Sequence, residues 1–221
     1  MSDTFILPVP FDRVVRMLRD PDALLTALTG ADAAAELDRE LGTVGCATIM
    51  FGDIEGFTPL TERLGDRTAA EVVRSLDSIV HDALDPDRGH RTKSAGDGFM
   101  AVFAEPAAAL RGAGRIQRSL VDGAPAGVPV RMRIGVHTGP VVRIRAANGA
   151  YDVVGRSVNL ASRITDAARG GEVLVSSAVR RLTEPLGEFR FHRKRRLGLK
   201  GLGGLHEVVE LAWRAPERRI P

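Results

Sequence analysis

A layered α/β (α+β) fold, with a mixed but mostly antiparallel sheet flanked by helices, is predicted by three features of this sequence. Short apolar runs suited to strands alternate with helix-length segments of 3.6-residue periodicity. One of those segments carries an apolar face wide enough to need a sheet beneath it. The order of strands and crossover helices is mixed, which favours an antiparallel-rich sheet of ferredoxin type over a doubly wound parallel one.

Taken in order, residues 1–44 read as a short helical amino-terminal segment. Asp20-Pro21 supplies an N-cap and a first-turn proline, Leu24, Leu25 and Leu28 form a stripe, and Gly30 is a stop. Ala33 to Leu41 makes a second small helix ending at Gly42. Both are expected to pack on the main domain, 45–213, or on a partner; residues 214–221 form a tail. The main domain opens with a strand at 46–52, helices at 58–64 and 68–84, strands at 90–95 and 98–104, and a helix at 105–121. Val72, Val73, Leu76, Ile79, Val80 and Ala83 recur at three- and four-residue steps, giving the wide apolar face. A strand from Val130 to His137 and a return strand at Tyr151 to Val154 come next. The helix from Arg156 to Ala168 is stopped by Gly170-Gly171. A strand at 172–175, a short helix to Thr183 and a hairpin of 187–197 with 206–212 close the domain.

At 221 residues, with 44% hydrophobic and 27% charged content, the chain can bury a proper core. Its 31 Lys and Arg against 28 Asp and Glu leave +3, too little to argue for nucleic acid. The tract Arg190 to Arg196 is read as a solvated hairpin, since no aromatic platform interleaves its charges. A single cysteine, Cys46, lies in the first core strand and excludes an internal disulfide. No apolar stretch nears the roughly 18 residues that span a bilayer, so no membrane association and a cytoplasmic address are expected.

Two aspartates carry the chemistry. Asp53 follows an apolar strand in Phe51-Gly52-Asp53-Ile54-Glu55-Gly56-Phe57-Thr58, and Asp97 sits in Gly96-Asp97-Gly98 between two others. Glycines on both sides are expected to give each a tight turn and room for a ligand. In a ferredoxin-like sheet the first strand neighbours the hairpin, so both carboxylates can share hard cations about 3.5–4 Å apart. Either alone is as readily a turn stabiliser; together they indicate a two-metal site. Asn159 and Arg163, four residues apart, share one face of a helix buried through Val158, Ala161, Ile164 and Ala168. Strand alternation puts Arg131 and Arg133 on one face. His137 is read as a packed strand residue, because no second His or Cys lies at metal spacing.

These separated motifs resemble the catalytic domain of class III nucleotidyl cyclases over roughly residues 45–212. The resemblance implies that Asp53 and Asp97 hold two Mg²⁺ or Mn²⁺ ions with help from the Ile54 carbonyl, and that the turn through Phe57 and Thr58 approaches the phosphates. It implies that Asn159 orients the ribose, that Arg163 stabilises charge on the α-phosphate, and that Arg133 and Lys200 bind the triphosphate. Lys93 and Asp152 fall at the base-recognition positions. Adenine offers a ring-nitrogen acceptor and an amine donor, which a lysine and an aspartate match, so ATP is the expected substrate and 3′,5′-cyclic AMP with pyrophosphate the products. In the family the two halves of a pocket come from different chains, so a head-to-tail homodimer with two shared sites is expected. The rivals are a cyclase for GTP or a pyrimidine triphosphate and an inactive nucleotide-binding module. The segment Val141 to Ala150 departs from the family pattern, carrying Arg143 and Arg145.

Overall fold

The computed structural model describes residues 44–87, 89–145, 151–192 and 194–214. The two helices expected before residue 44 and all but the first residue of the 214–221 tail fall outside them. Within them the chain runs β1 (Val44–Ile54), α1 (Phe57–Leu64), α2 (Asp66–Leu84), β2 (His90–Ala95), β3 (Gly98–Phe103), α3 (Pro106–Asp122), β4 (Met132–Arg145), β5 (Tyr151–Val154), α4 (Arg156–Ala167), β6 (Val173–Ser176), α5 (Ser177–Thr183), β7 (Arg195–Gly198) and β8 (Leu205–Glu210).

One sheet collects every strand in the order β2-β3-β1-β4-β6-β8-β7, with β5 hydrogen-bonded to the far part of β4. All pairings are antiparallel except β4 with β6. This is the mixed, mostly antiparallel α+β arrangement expected from the sequence. β1 is central because it is apolar on both faces. Met50 and Ile54 join the larger core beneath α2 and α3, while Ala47 and Ile49 point to the smaller one beneath α4. Cys46 is buried as expected, and burial pushes its thiol upward in pKa.

Four sequence expectations need correction. Asp53 lies in no turn: β1 keeps its register with β4 through Asp53↔Arg133 and Ile54↔Met132, and the chain turns only at Gly56, whose φ is 68°. Likewise only Gly96 (φ 59°) takes the left-handed conformation beside Asp97, since Gly98 already belongs to β3. Finally, β4 does not stop near His137 but runs on to Arg145 through Gly139-Pro140. Pro140 falls between the β4 residues that pair with β6 (134–136) and those that pair with β5 (142–145). One edge of the strand has no neighbour there, so a missing N–H breaks no ladder. The closing hairpin is also shorter than expected, with Phe191↔Leu211 as an isolated bridge ahead of β7.

α4 lies unusually close to β4. A Cβ added at Gly135 would meet Thr165 Oγ1 at 2.3 Å and the Thr165 backbone nitrogen at 2.4 Å, and one at Gly139 would meet Ser157 Oγ at 2.5 Å. Two glycines four residues apart on one strand face thus make the groove that seats the helix.

Candidate active site

The site forms where β1 ends between β3 and β4. Asp53 faces Gly98 on one side and Arg133 on the other, so pairing register alone brings Asp53, the Asp97 turn and Arg133 together. Arg133 Nε donates to Asp53 Oδ2 at 2.9 Å, and its Nη2 bonds the same oxygen. The two side chains are 30% and 28% exposed, so the pair is partly solvated. Both bonds leave from one edge of the guanidinium, which keeps the other edge for further acceptors.

Burial, then the neighbouring Asp53 charge, push the Asp97 carboxyl above its ordinary pKa, with Arg133 opposing them. The charge of each acts on the other because strand register brings the end of β1 against the Asp97 turn. Two acids that resist sharing a site call for positive charge. Arg133, pushed upward first by its bond to Asp53, supplies part of it, and the Asp166 and Glu55 charges also act on this guanidinium.

The backbone adds an oxygen. Ile54 N–H donates to the Asp97 carbonyl at 3.3 Å and Glu55 N–H to the Arg131 carbonyl at 2.9 Å. Because N–H and C=O point oppositely across a trans peptide, the Ile54 carbonyl is turned away from β4 and toward Asp97. Among the described residues no three or more His, Cys, Asp or Glu side chains converge as a ready-made metal cage. Two carboxylates and a carbonyl nevertheless fit Mg²⁺ or Mn²⁺, which keep waters and take their remaining oxygens from substrate phosphates.

Next to these groups, α1 begins at Phe57. The Phe57 ring packs against the larger core, so toward a ligand this residue offers its backbone N–H, as does exposed Thr58. A second set of expected residues lies elsewhere. Asn159 is exposed on α4, and Arg163 Nη1 donates to Asp166 Oδ2 at 2.7 Å on the same helix. Asp152 Oδ1 accepts from the Val153 N–H at 2.8 Å on β5, Lys93 stands on β2 just past a register shift, and exposed Lys200 sits in the turn before Gly201 (φ 77°). The sequence signals gave Asp166 no role and placed Glu55 only at the start of the Glu55-Gly56-Phe57-Thr58 turn that the family resemblance brings to the phosphates. The three-residue spacing from Arg163 was a usable signal for Asp166; Glu55 had none, because its partner is Gly170, 115 residues away. His137 is a packed residue as expected: its Nδ1 lies 2.8 Å from Ser176 Oγ, and burial with nearby His206 pushes it down to about 4.

Paired acids at the end of a mixed sheet, beside an arginine and a helix start, form a donor set that suits hard cations and anionic oxygens. The sequence profile of the "adenylate and guanylate cyclase catalytic domain" matches residues 40–210, and the chain belongs to that family of nucleotidyl cyclases. It is 31% identical over 175 residues to the adenylate cyclase of Mycobacterium tuberculosis, covering 71% of this chain but only 37% of that protein. Its fold is similar to the adenylyl cyclase CyaB of P. aeruginosa, with TM-score 0.67, 22% identity, and 80% of this chain and 97% of that one covered. It is equally similar to the guanylate cyclase domain of RhGC from Catenaria anguillulae, solved with GTP, with TM-score 0.70, 21% identity, and coverage of 77% and 97%. Domains of this family use divalent metal ions, bind nucleotides and commonly dimerise.

Proposed function

We propose that this chain is an adenylate cyclase that converts ATP to 3′,5′-cyclic AMP and pyrophosphate at two sites shared across a head-to-tail homodimer. The reading is carried by the convergence of Asp53, Asp97 and Arg133 at one sheet end, with Asp97 pushed upward by burial and by its acidic neighbour. Asp53, Asp97 and the Ile54 carbonyl would hold two Mg²⁺ or Mn²⁺ ions. Bound there, the ions supply acidification of the ribose 3′-hydroxyl and charge neutralisation on the triphosphate.

The protein's own groups do the rest. Arg133 keeps one guanidinium edge on Asp53 and turns the other to the terminal phosphates, while the Phe57 and Thr58 N–H groups receive phosphate oxygens. The second protomer contributes Asn159 to the ribose, Arg163 to the α-phosphate, Lys93 and Asp152 to the base, and Lys200 to the triphosphate. O3′ attacks the α-phosphorus, the bond to the β-phosphate oxygen breaks, and the hydroxyl proton leaves to solvent. Positioning and charge stabilisation dominate such a reaction.

The test mixes Asp53→Ala protein with Arg163→Ala protein, each inactive alone. Half of the reassorted dimers are mixed and each holds one intact site, so activity returns to about a quarter of wild type. A dead mixture of folded, dimeric variants removes the shared site. GTP is the second reading, since the fold is as similar to a guanylate cyclase domain solved with GTP as to an adenylyl cyclase. Product analysis with all four triphosphates decides it, and Lys93→Glu with Asp152→Gly is expected to weaken ATP use and admit GTP.

A further inference from the structure

Glu55 lies between the candidate metal carbonyl of Ile54 and the turn at Gly56, and its side chain crosses to another part of the fold. Oε1 accepts a hydrogen bond from the Gly170 N–H at 2.9 Å. Gly170 belongs to the turn that follows α4, and the fit there is tight. A Cβ at Gly170 would stand 2.4 Å from Glu55 Oε2 and 2.6 Å from Arg131 Cβ. Gly170 has no left-handed φ, so space alone excludes a side chain.

The far side of this bond is firmly held. Gly171 N–H donates to the Met132 carbonyl at 2.8 Å, the Trp213 indole donates to the Gly171 carbonyl at 2.9 Å, and Ile134 N–H donates to the Glu172 carbonyl at 3.0 Å. The 170–172 turn is therefore tied to β4 and to the end of the described chain. Glu55 in turn uses both its groups, with its N–H on the Arg131 carbonyl and its carboxylate on Gly170. Those two anchors fix the Ile54–Glu55 peptide plane, and through it the direction of the Ile54 carbonyl.

We propose that Glu55 is a positioning residue, a latch that fastens the 53–56 segment to the Gly170 turn and aims the Ile54 carbonyl at the metal position beside Asp97. The inference rests on the metal-site reading above. A latch needs an acceptor oxygen at this position and no charge, whereas a long-range electrostatic role needs the charge.

The experiment titrates the 221-residue protein with Mn²⁺ in the presence of a non-cyclisable triphosphate analogue, followed by electron paramagnetic resonance, with thermal melts as the fold check. Glu55→Ala is expected to weaken Mn²⁺ about tenfold, the upper size of one ordinary hydrogen bond. Glu55→Gln, which keeps the oxygen, stays within about twofold of wild type. Gly170→Ala, which pushes the carboxylate aside, matches Glu55→Ala, and the double variant is no worse than either single one. Undiminished Mn²⁺ binding by Glu55→Ala, or equal losses in the Gln and Ala variants, overturns the latch while leaving the metal site standing. Wild-type protein that takes up no Mn²⁺ beside the analogue overturns the metal site itself, and the latch with it.

Discussion

β4 passes through two environments within a few residues. At Arg133 it borders a partly solvated cluster of Asp53, Asp97, Glu55 and Asp166, where carboxyl groups crowd one guanidinium. From Gly135 to Gly139 the same strand lies under α4, with Thr165 and Ser157 pressed against two glycines and His137 packed on Ser176. The first stretch holds unlike charges in wary balance and gains nothing in packing from it. The second is close-packed and carries no ligand-facing group. A strand rigid in one place and charged in the next is what a site needs when its ligand groups must be held without being buried.

That contrast predicts which substitutions cost turnover and which cost stability. Asp53→Ala has the largest effect, a loss of at least about 10³ in kcat, equivalent to about 4 kcal/mol of transition-state stabilisation. Because its ion pair with Arg133 is partly solvated, the stability change stays below about 1 kcal/mol. Kinetics beside a denaturant titration checks both, and a Tm collapse would show the charged end to be structural.

Beneath α4 the order reverses. His137 is neutral in the native state down to about pH 4 but titrates near 6.5 when unfolded, so its contribution to stability is complete above pH 6.5 and is lost as pH falls through that window. The loss reaches about 2.5 kcal/mol by pH 4.5. His137→Asn protein, unfolded in denaturant at pH 7 and pH 4.5 beside wild type, should lack this part of the acid sensitivity. Gly135→Ala should cost about 2 kcal/mol at any pH by lifting α4. Thr165→Ala does not rescue it, because the Thr165 backbone nitrogen is as close to the new methyl as the hydroxyl is.

The charged end was legible in the sequence because paired acids flanked by apolar strands and glycines are a local signal, while Arg133 was marked by the family resemblance, alternation only placing it with Arg131 on one strand face. The mixed sheet was legible from periodicity for the same reason. What escaped depends on neighbours far along the chain. Nothing near Pro140 announces that β4 is without a second partner there, so Gly139-Pro140 read as an end. Nothing near Asp53 announces that pairing with β4 continues past it, so a strand residue read as a turn residue. Glu55 and Gly170 meet only after α4 has folded onto the sheet, and no spacing rule reaches that far.

The smallest effect is expected where the two environments touch. Asp166 ends the exposed face of α4, bonds Arg163 at 2.7 Å, and sends its charge to Arg133. Both members of the ion pair are about half exposed, at 41% and 48%, so Asp166→Asn should shift stability by less than about 0.5 kcal/mol. Its effect on the nucleotide has a definite sign: removing a negative charge beside two arginines strengthens triphosphate binding, by less than about threefold. Screening sets the salt dependence, since the Debye length falls from about 30 Å at 0.01 M to about 8 Å at 0.15 M ionic strength. The gain should therefore shrink as salt is added, which calorimetric titration of a non-cyclisable analogue at those two salt concentrations reads directly. A gain that ignores salt, or a loss of binding, would mean that Asp166 aims Arg163 through its hydrogen bond, making the α4 face a preset part of the site.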